Sequence, residues 1–223
     1  MAAPPPSLAD LPGEIAIFPL PAALLLPGGR LPLNIFEPRY LALVEDALGA
    51  GRYFGMVQPE PAAPAGPEGP RTYRVGCLGR IASFSETEDG RFLITLAGVT
   101  RFRIAAELPP RRGYRRVRAD YAEFAADLAP AAPPAVDQAR LLGVLRPFFK
   151  ARQIEANWEA IERTEPAMLV LSLSMICPFD VPEKQALLEA PGPTERAATL
   201  IALLEMGAHE PGPDDLPAGR RLS

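Results

Sequence analysis

Apolar positions in the first half of this chain fall into short runs with a two-residue rhythm. "EIAIFPL" (Glu14 to Leu20), "YFGMVQ" (Tyr53 to Gln58) and "YRVGCLGRIASFSE" (Tyr73 to Glu86) are rich in aromatic or β-branched residues and bounded by Gly or Pro, which predicts strands. Asp89-Gly90, inside "SETEDGRFLITLAG", supplies positive φ for a two-residue turn, so 81–85 and 91–96 are expected to pair antiparallel. "GYRRVRADYAEF" sets Val117, Ala119 and Tyr121 against Arg116, Arg118 and Asp120, the alternation of a half-buried strand. Several short strands with frequent turns imply a barrel or sandwich. One segment breaks the rhythm: in "EPRYLALVEDALGAG", Tyr40, Leu41, Val44 and Leu48 recur at helical spacing, with Gly49 as the expected stop.

Beyond about residue 127 the period lengthens. "QARLLGVLRPFFK" places Leu141, Leu142, Leu145, Phe148 and Phe149 on one helical face, and Pro147 threatens a kink. "EPAMLVLSLSMIC" is apolar almost all round and is expected to be the buried helix of its group. "DVPEKQALLEA" opens with Asp180 three residues before Glu183, a reciprocal capping pattern that puts Lys184 on a solvated face. "TERAATLIALLEMG" follows, with Thr194 as cap and Gly207 as stop. The expected division is a flexible N-terminus (1–12), a β-rich lobe (13–126), a Pro/Ala linker (127–135), a helical lobe (136–208) and a flexible tail (209–223). "PEPAAPAGPEGPR" (Pro59 to Arg71) reads as a mobile surface loop.

Composition narrows the chemistry. At 223 residues, 48% hydrophobic and 22% charged, the chain is long and apolar enough to bury a core. A net charge of -4 gives no global attraction to phosphate backbones. Cys77 and Cys177 stand far apart and His209 is the sole histidine, so metal sites built on Cys and His are excluded, and no cofactor is expected. The N-terminus lacks a positively charged leader, and the longest apolar run, Ala167 to Cys177, is too short to span a bilayer; a cytoplasmic protein is expected. There is no GxxxxGK[ST] and no GxSxG. Ser83, Ser85, Ser172 and Ser174 lack an evident activating base, apart from Lys150 or Lys184, and Glu86, Glu88 and Asp89 read as a solvated turn. Trp158, Met168 and Met175 read as core. Catalysis is therefore not expected.

Two stretches remain. "LPLNIFEPRY" (31–40) reads as a strand-to-helix junction: Pro32 closes a turn, Ile35 and Phe36 anchor in the core, and Pro38 enters the first helical turn, with Glu37 beside it and Arg39 free to pair with an acid. "RRGYRRVR" carries Arg111, Arg112, Arg115, Arg116 and Arg118 around one tyrosine, the composition of a nucleic-acid patch, although alternation splits the set between faces.

"IFPLPAALLLPGGRLPLNIFEPRYLALVEDAL" (17–48), "VGCLGRI" (75–81), "DGRFLITLAGVTRFRI" (89–104) and "EKQALLEAPGPTERAATLIALL" (183–204) follow one another in the order found in the N-terminal, substrate-binding domain of Lon proteases. The chain resembles a free-standing member of that family, without the ATPase and Ser-Lys peptidase modules of a complete Lon protease. The resemblance implies an α+β fold: a PUA-like antiparallel β-barrel lobe with one inserted helix, followed by a C-terminal α-helical lobe. It also implies a non-enzymatic module binding unfolded or degron-bearing polypeptides, with a separate protease as a further candidate partner. A related fold carries a pocket lined by three tryptophans, which Trp158 alone does not reproduce. Candidate contacts are Phe36, Glu37, Arg39, Tyr40, Tyr53, Phe54 and Met56. The alternative is a PUA-like RNA binder using residues 111–118.

Overall fold

Strand-forming residues organise the first half of the computed structural model, which describes residues 7–61, 69–129 and 135–208. In chain order the regular elements are β1 (Glu14–Pro19), β2 (Arg30–Ile35), α1 (Pro38–Gly49), β3 (Tyr53–Val57), β4 (Val75–Glu86), β5 (Phe92–Arg111) and β6 (Tyr114–Asp120), then α2 (Gln138–Ala151), α3 (Trp158–Arg163), α4 (Pro166–Ile176), α5 (Val181–Glu189) and α6 (Pro193–Gly207). The sheet order is β2-β5-β4-β3-β1-β6, and β5 also pairs with β6. All pairs are antiparallel except β1 with β3. The five strands β5, β4, β3, β1 and β6 thus close on themselves, and β2 remains an edge.

β5 makes the closure possible. Its first half pairs with β4 and β2, its second half with β6, and the pairing shifts register between Ile104 and Ala106. Phe102, fully buried, fills the interior with Ile15, Ile17, Leu78, Ile104 and Val117. A Cβ on Gly55 or Gly76 would come within 2.6 or 2.7 Å of the Phe102 ring, so those two positions have to be small.

The chain divides into two compact units. One takes residues within Met1–Ala132 and Ser174–Glu189, the other residues within Pro133–Leu173 and Ala190–Ser223. α5 therefore belongs with the strands although it lies late in sequence. In that first unit Arg101, 4% exposed, donates Nε and Nη2 to Asp127 at 2.9 and 2.8 Å and Nη1 to the Leu188 carbonyl of α5 at 3.2 Å. Gln185 donates to the Val75 carbonyl at 3.0 Å. In the second unit α2 and α6 pack together, and the Gly207 backbone lies so close to the Phe148 ring that a Cβ there would approach it to 2.6 Å.

Several local expectations change. The Asp89-Gly90 turn has three residues: Thr87 pairs with Arg91, and Gly90 alone is left-handed at φ 78°. The two-residue turn is Arg112-Gly113, with φ 47° and 85°. Pro32 closes no turn; it sits inside edge strand β2 opposite Thr95, where a missing N–H on the open side is tolerated. Gly49 is still helical, and the left-handed residues after α1 are Gly51 and Arg52. α6 is capped by Gly192 rather than Thr194, with Pro193 in its first turn. α4 is not wholly buried: Met168 and Ile176 are 51% and 71% exposed. Lys184 is buried instead of solvated, donating to the Ala22 and Met175 carbonyls at 2.6 and 3.2 Å. At the start of α5, one half of the expected capping pair forms, Asp180 N–H to the Glu183 carboxylate at 2.7 Å. His209 and the tail, most of the 59–71 loop (62–68) and the centre of the linker (130–134) lie outside the described residues.

Candidate functional site

Residues 30–40 contribute to the two features that bear on binding, and both lie in the strand-rich unit. Among the described residues β2 has a strand neighbour only on its β5 side, so the backbone groups along its other side pair with no described strand. Beside it, Leu33, Phe84, Leu93 and Pro32 line an open hollow of about 490 Å³, in which Phe84 and Leu93 are 39% and 46% exposed. Phe36, just past the strand, is 62% exposed instead of anchored, and the Arg91 guanidinium stands 5.9 Å from its ring.

The chain then turns into α1. Pro38 occupies its first turn, and Glu37 precedes it in extended conformation. Glu37 accepts from Arg39 Nε at 3.0 Å, so these two candidates form an ion pair. Arg39 also stacks 4.6 Å over the Tyr40 ring, which meets the Phe18 ring at a centroid distance of 4.0 Å. Tyr40 faces a groove of about 390 Å³ shared with Pro19, Pro21, Pro59, Pro70, Tyr114 and Arg115. Burial holds the Tyr40 hydroxyl above its ordinary pKa, opposed by the nearby Arg39 charge, so it stays a donor at neutral pH.

The structure does not bring the other candidates to this surface. Phe54 and Met56 are 0% and 2% exposed, because β3 is an inner strand flanked by β1 and β4; they are core, not contacts. Tyr53 packs against the barrel interior and is half-buried. Trp158 is half-buried in the helical unit, 5.7 Å from Phe149, with Arg146 4.3 Å over its ring.

The arginine stretch is largely neutralised. Arg111 pairs with Asp46 at 3.2 Å, Arg112 with Glu45 and Asp46 at 2.6 and 2.8 Å, Arg115 with Glu107 at 2.7 Å, and Arg116 with Glu14 at 2.9 Å. Arg118 is exposed and has no acidic partner among the described residues. Tyr114 donates to Asp46 at 2.6 Å, and burial with that bond pushes its pKa up to about 12. The sequence marked Tyr114 only as the one tyrosine within the arginine stretch. Nothing in it joined Pro19, Pro59 and Pro70 to Tyr40, since the groove draws on segments far apart along the chain.

Both cysteines are buried, and burial pushes the Cys177 thiol up to about 12, which suppresses its thiolate. Among the described residues no cluster of three or more His, Cys, Asp or Glu is placed to hold a metal, and no helix is long and apolar enough to cross a membrane.

Residues 14–206 match the family described as the ATP-dependent protease La (LON) substrate-binding domain. Lon protease 2 of Myxococcus xanthus is 29% identical over 51% of this chain and 14% of its own length, and Lon protease 2 of Sorangium cellulosum 31% identical over 47% and 13%. The chain thus spans about a seventh of these relatives. The crystal structure of a Lon N-terminal domain protein from Xanthomonas campestris superposes with a TM-score of 0.58 at 24% identity, covering 85% of this chain and 97% of that one. The N-terminal domain of a Mycobacterium avium complex Lon protease gives the same TM-score at 18% identity, covering 86% and 97%.

Proposed function

We propose, from the premise that this chain belongs to the Lon substrate-binding domain family, that it binds polypeptide segments with exposed apolar side chains and performs no chemistry on them. The observation that carries this reading is the open edge of β2 with exposed Phe36 at its end, and exposed Leu93 on the neighbouring strand β5. An extended segment laid along that edge completes the backbone hydrogen bonds of a further strand and meets Phe36 at its end, and only long side chains reaching across β2 meet the hollow over β5 and β4. Pro32 removes one donor from the edge, so side-chain contacts weigh more than main-chain ones, consistent with tolerance for many sequences. A separate protease that degrades the bound segment is a compatible partner, and the ATP-dependent proteolysis of the longer relatives is not assigned to this chain.

The test is fluorescence anisotropy with a labelled polypeptide, permanently unfolded by reduction and alkylation, against its folded form. Preferential binding of the unfolded form is expected, weakened about tenfold by Phe36→Asp with Leu93→Asp. Two exposed apolar side chains of roughly 1 kcal/mol each suffice for that change. Equal affinity for folded and unfolded forms overturns the reading.

A further inference from the structure

We propose that the groove over Tyr40 captures the free carboxylate of a polypeptide C-terminus, with the last side chain between its prolines; this rests on the polypeptide-binding reading above. The observation that carries it is Arg115. Its side chain is 10% exposed; Nη1 donates to the Pro70 carbonyl at 2.8 Å and Nη2 to Glu107 at 2.7 Å, yet its buried Nε–H has no acceptor. Buried donors of folded proteins are nearly always satisfied, so an orphan on a groove-lining side chain calls for an acceptor, which a group entering the groove supplies once the guanidinium turns toward it.

A second donor lines the same groove. The Tyr40 hydroxyl donates to no protein group among the described residues, although its ring is packed between Phe18 and Arg39. One N–H and one O–H suit the two oxygens of a carboxylate. They do not suit a phosphate dianion. Arg39 and Arg115 are each already engaged by a carboxylate, Glu37 and Glu107, which leaves the surroundings close to neutral. Recognition here depends on directed hydrogen bonds, and its salt dependence is correspondingly shallow.

The walls select what accompanies the carboxylate. Pro19, Pro21, Pro59 and Pro70 are rigid and apolar, and the volume of about 390 Å³ is at the small end of ligand sites, which run from about 300 to 1,000 Å³. It takes one terminal residue, not a chain passing through. Residues 30–40 run without interruption from edge strand β2 through Phe36 to Glu37, Arg39 and Tyr40, so this stretch joins the strand edge to one wall of the groove.

The test uses the full chain and two probes that differ only at the acid: N-acetylphenylalanine and N-acetylphenylalaninamide, titrated by heteronuclear NMR. Saturable binding of the acid is expected, with shifts at Arg39–Tyr40 and Gly113–Arg115, and at least tenfold weaker binding of the amide. Tyr40→Phe removes an oxygen with no hydrogen-bond partner among the described residues; it should leave the melting temperature unchanged and weaken the acid about fivefold. Arg115→Gln should abolish the difference between acid and amide. Acid and amide binding alike, no saturation, or a Tyr40→Phe protein that binds the acid as tightly as the parent each overturns the site. The probes are too short to need the β2 edge. A negative result with intact binding of unfolded polypeptide therefore removes the carboxylate site alone, and a positive result without preference for unfolded polypeptide removes the broader reading alone.

Discussion

Asp127 illustrates how much rests on single charged residues in the strand-rich unit. Its carboxylate holds Arg101, a cation almost wholly removed from water, through two guanidinium hydrogen bonds and also accepts the Arg101 backbone N–H at 2.9 Å. Asp127→Ala removes the carboxylate that pairs with that buried cation, so about 3–5 kcal/mol of stability should be lost, read as a shift in urea midpoint. Tyr114 makes a pH-dependent contribution. In the folded chain its proton is held to about 12, whereas an unfolded tyrosine releases it near 10. Below pH 10 both states are protonated and the stabilisation is complete; as pH rises toward 12 the unfolded state loses the proton first, and stability falls. Asp46, which accepts the bond, and Arg111 and Arg116, which oppose the rise, surround it. Tyr114→Phe should therefore show a shallower decline in urea midpoint between pH 10 and 12 than the parent. Lys184 works in the opposite direction, since burial lowers its pKa, but it is common to both proteins and cancels in the comparison. A parallel decline would remove Tyr114 as the cause.

At the scale of elements, legibility followed burial on one face. β1, β3 and β6 were readable because one or both of their faces are apolar, and α1 and α2 because their apolar residues recur at helical spacing. β2 was readable only as the strand side of a junction, and its start was misplaced, since an edge strand tolerates a proline that reads locally as a turn. The second half of β5 was missed for a related reason: residues 105–111 are mostly exposed and carry Pro109 and Pro110, yet the Arg112-Gly113 turn pairs them with β6. Among the candidate contacts, aromatic character alone could not separate Phe36, which is exposed, from Phe54, which is core. Close approach of chain segments was equally invisible. Gly98 in β5 exchanges hydrogen bonds with Gly28 and Gly29, and a Cβ there would overlap the Leu26 carbonyl. A backbone atom cannot rotate away as a side chain can. Gly98→Ala should therefore cost about 3 kcal/mol, at the upper end of overpacking, whereas Gly143→Ala, with nothing near its Cβ position, should be neutral or slightly stabilising by thermal melting.

For the whole molecule, charge and connectivity decide what the parts can do. Four of the five arginines between 111 and 118 are paired with acids from β1, α1 and β5, so the stretch presents little free positive charge despite its composition. Retention on a polyanion column at low salt should be absent, and Arg118→Glu should not change elution; steep salt-dependent retention would restore the nucleic-acid reading. Connectivity makes the strand-rich unit dependent on a segment that returns to it after an excursion of some forty residues through the other unit. α5 supplies Leu187 and Leu188, both buried, the Gln185 bond to Val75, the Leu188 carbonyl that receives Arg101, and the Lys184 tie to Ala22. A fragment ending at Ala132 keeps all six strands yet exposes that apolar surface and leaves the Arg101 Nη1 and Val75 carbonyl contacts unmade. It should lack a cooperative urea transition and bind a hydrophobic dye, and a synthetic peptide spanning Ser174–Glu189 should restore the transition when added in excess. A fragment that unfolds cooperatively without the peptide would mean that the strands alone form the folding unit and that α5 merely docks onto it.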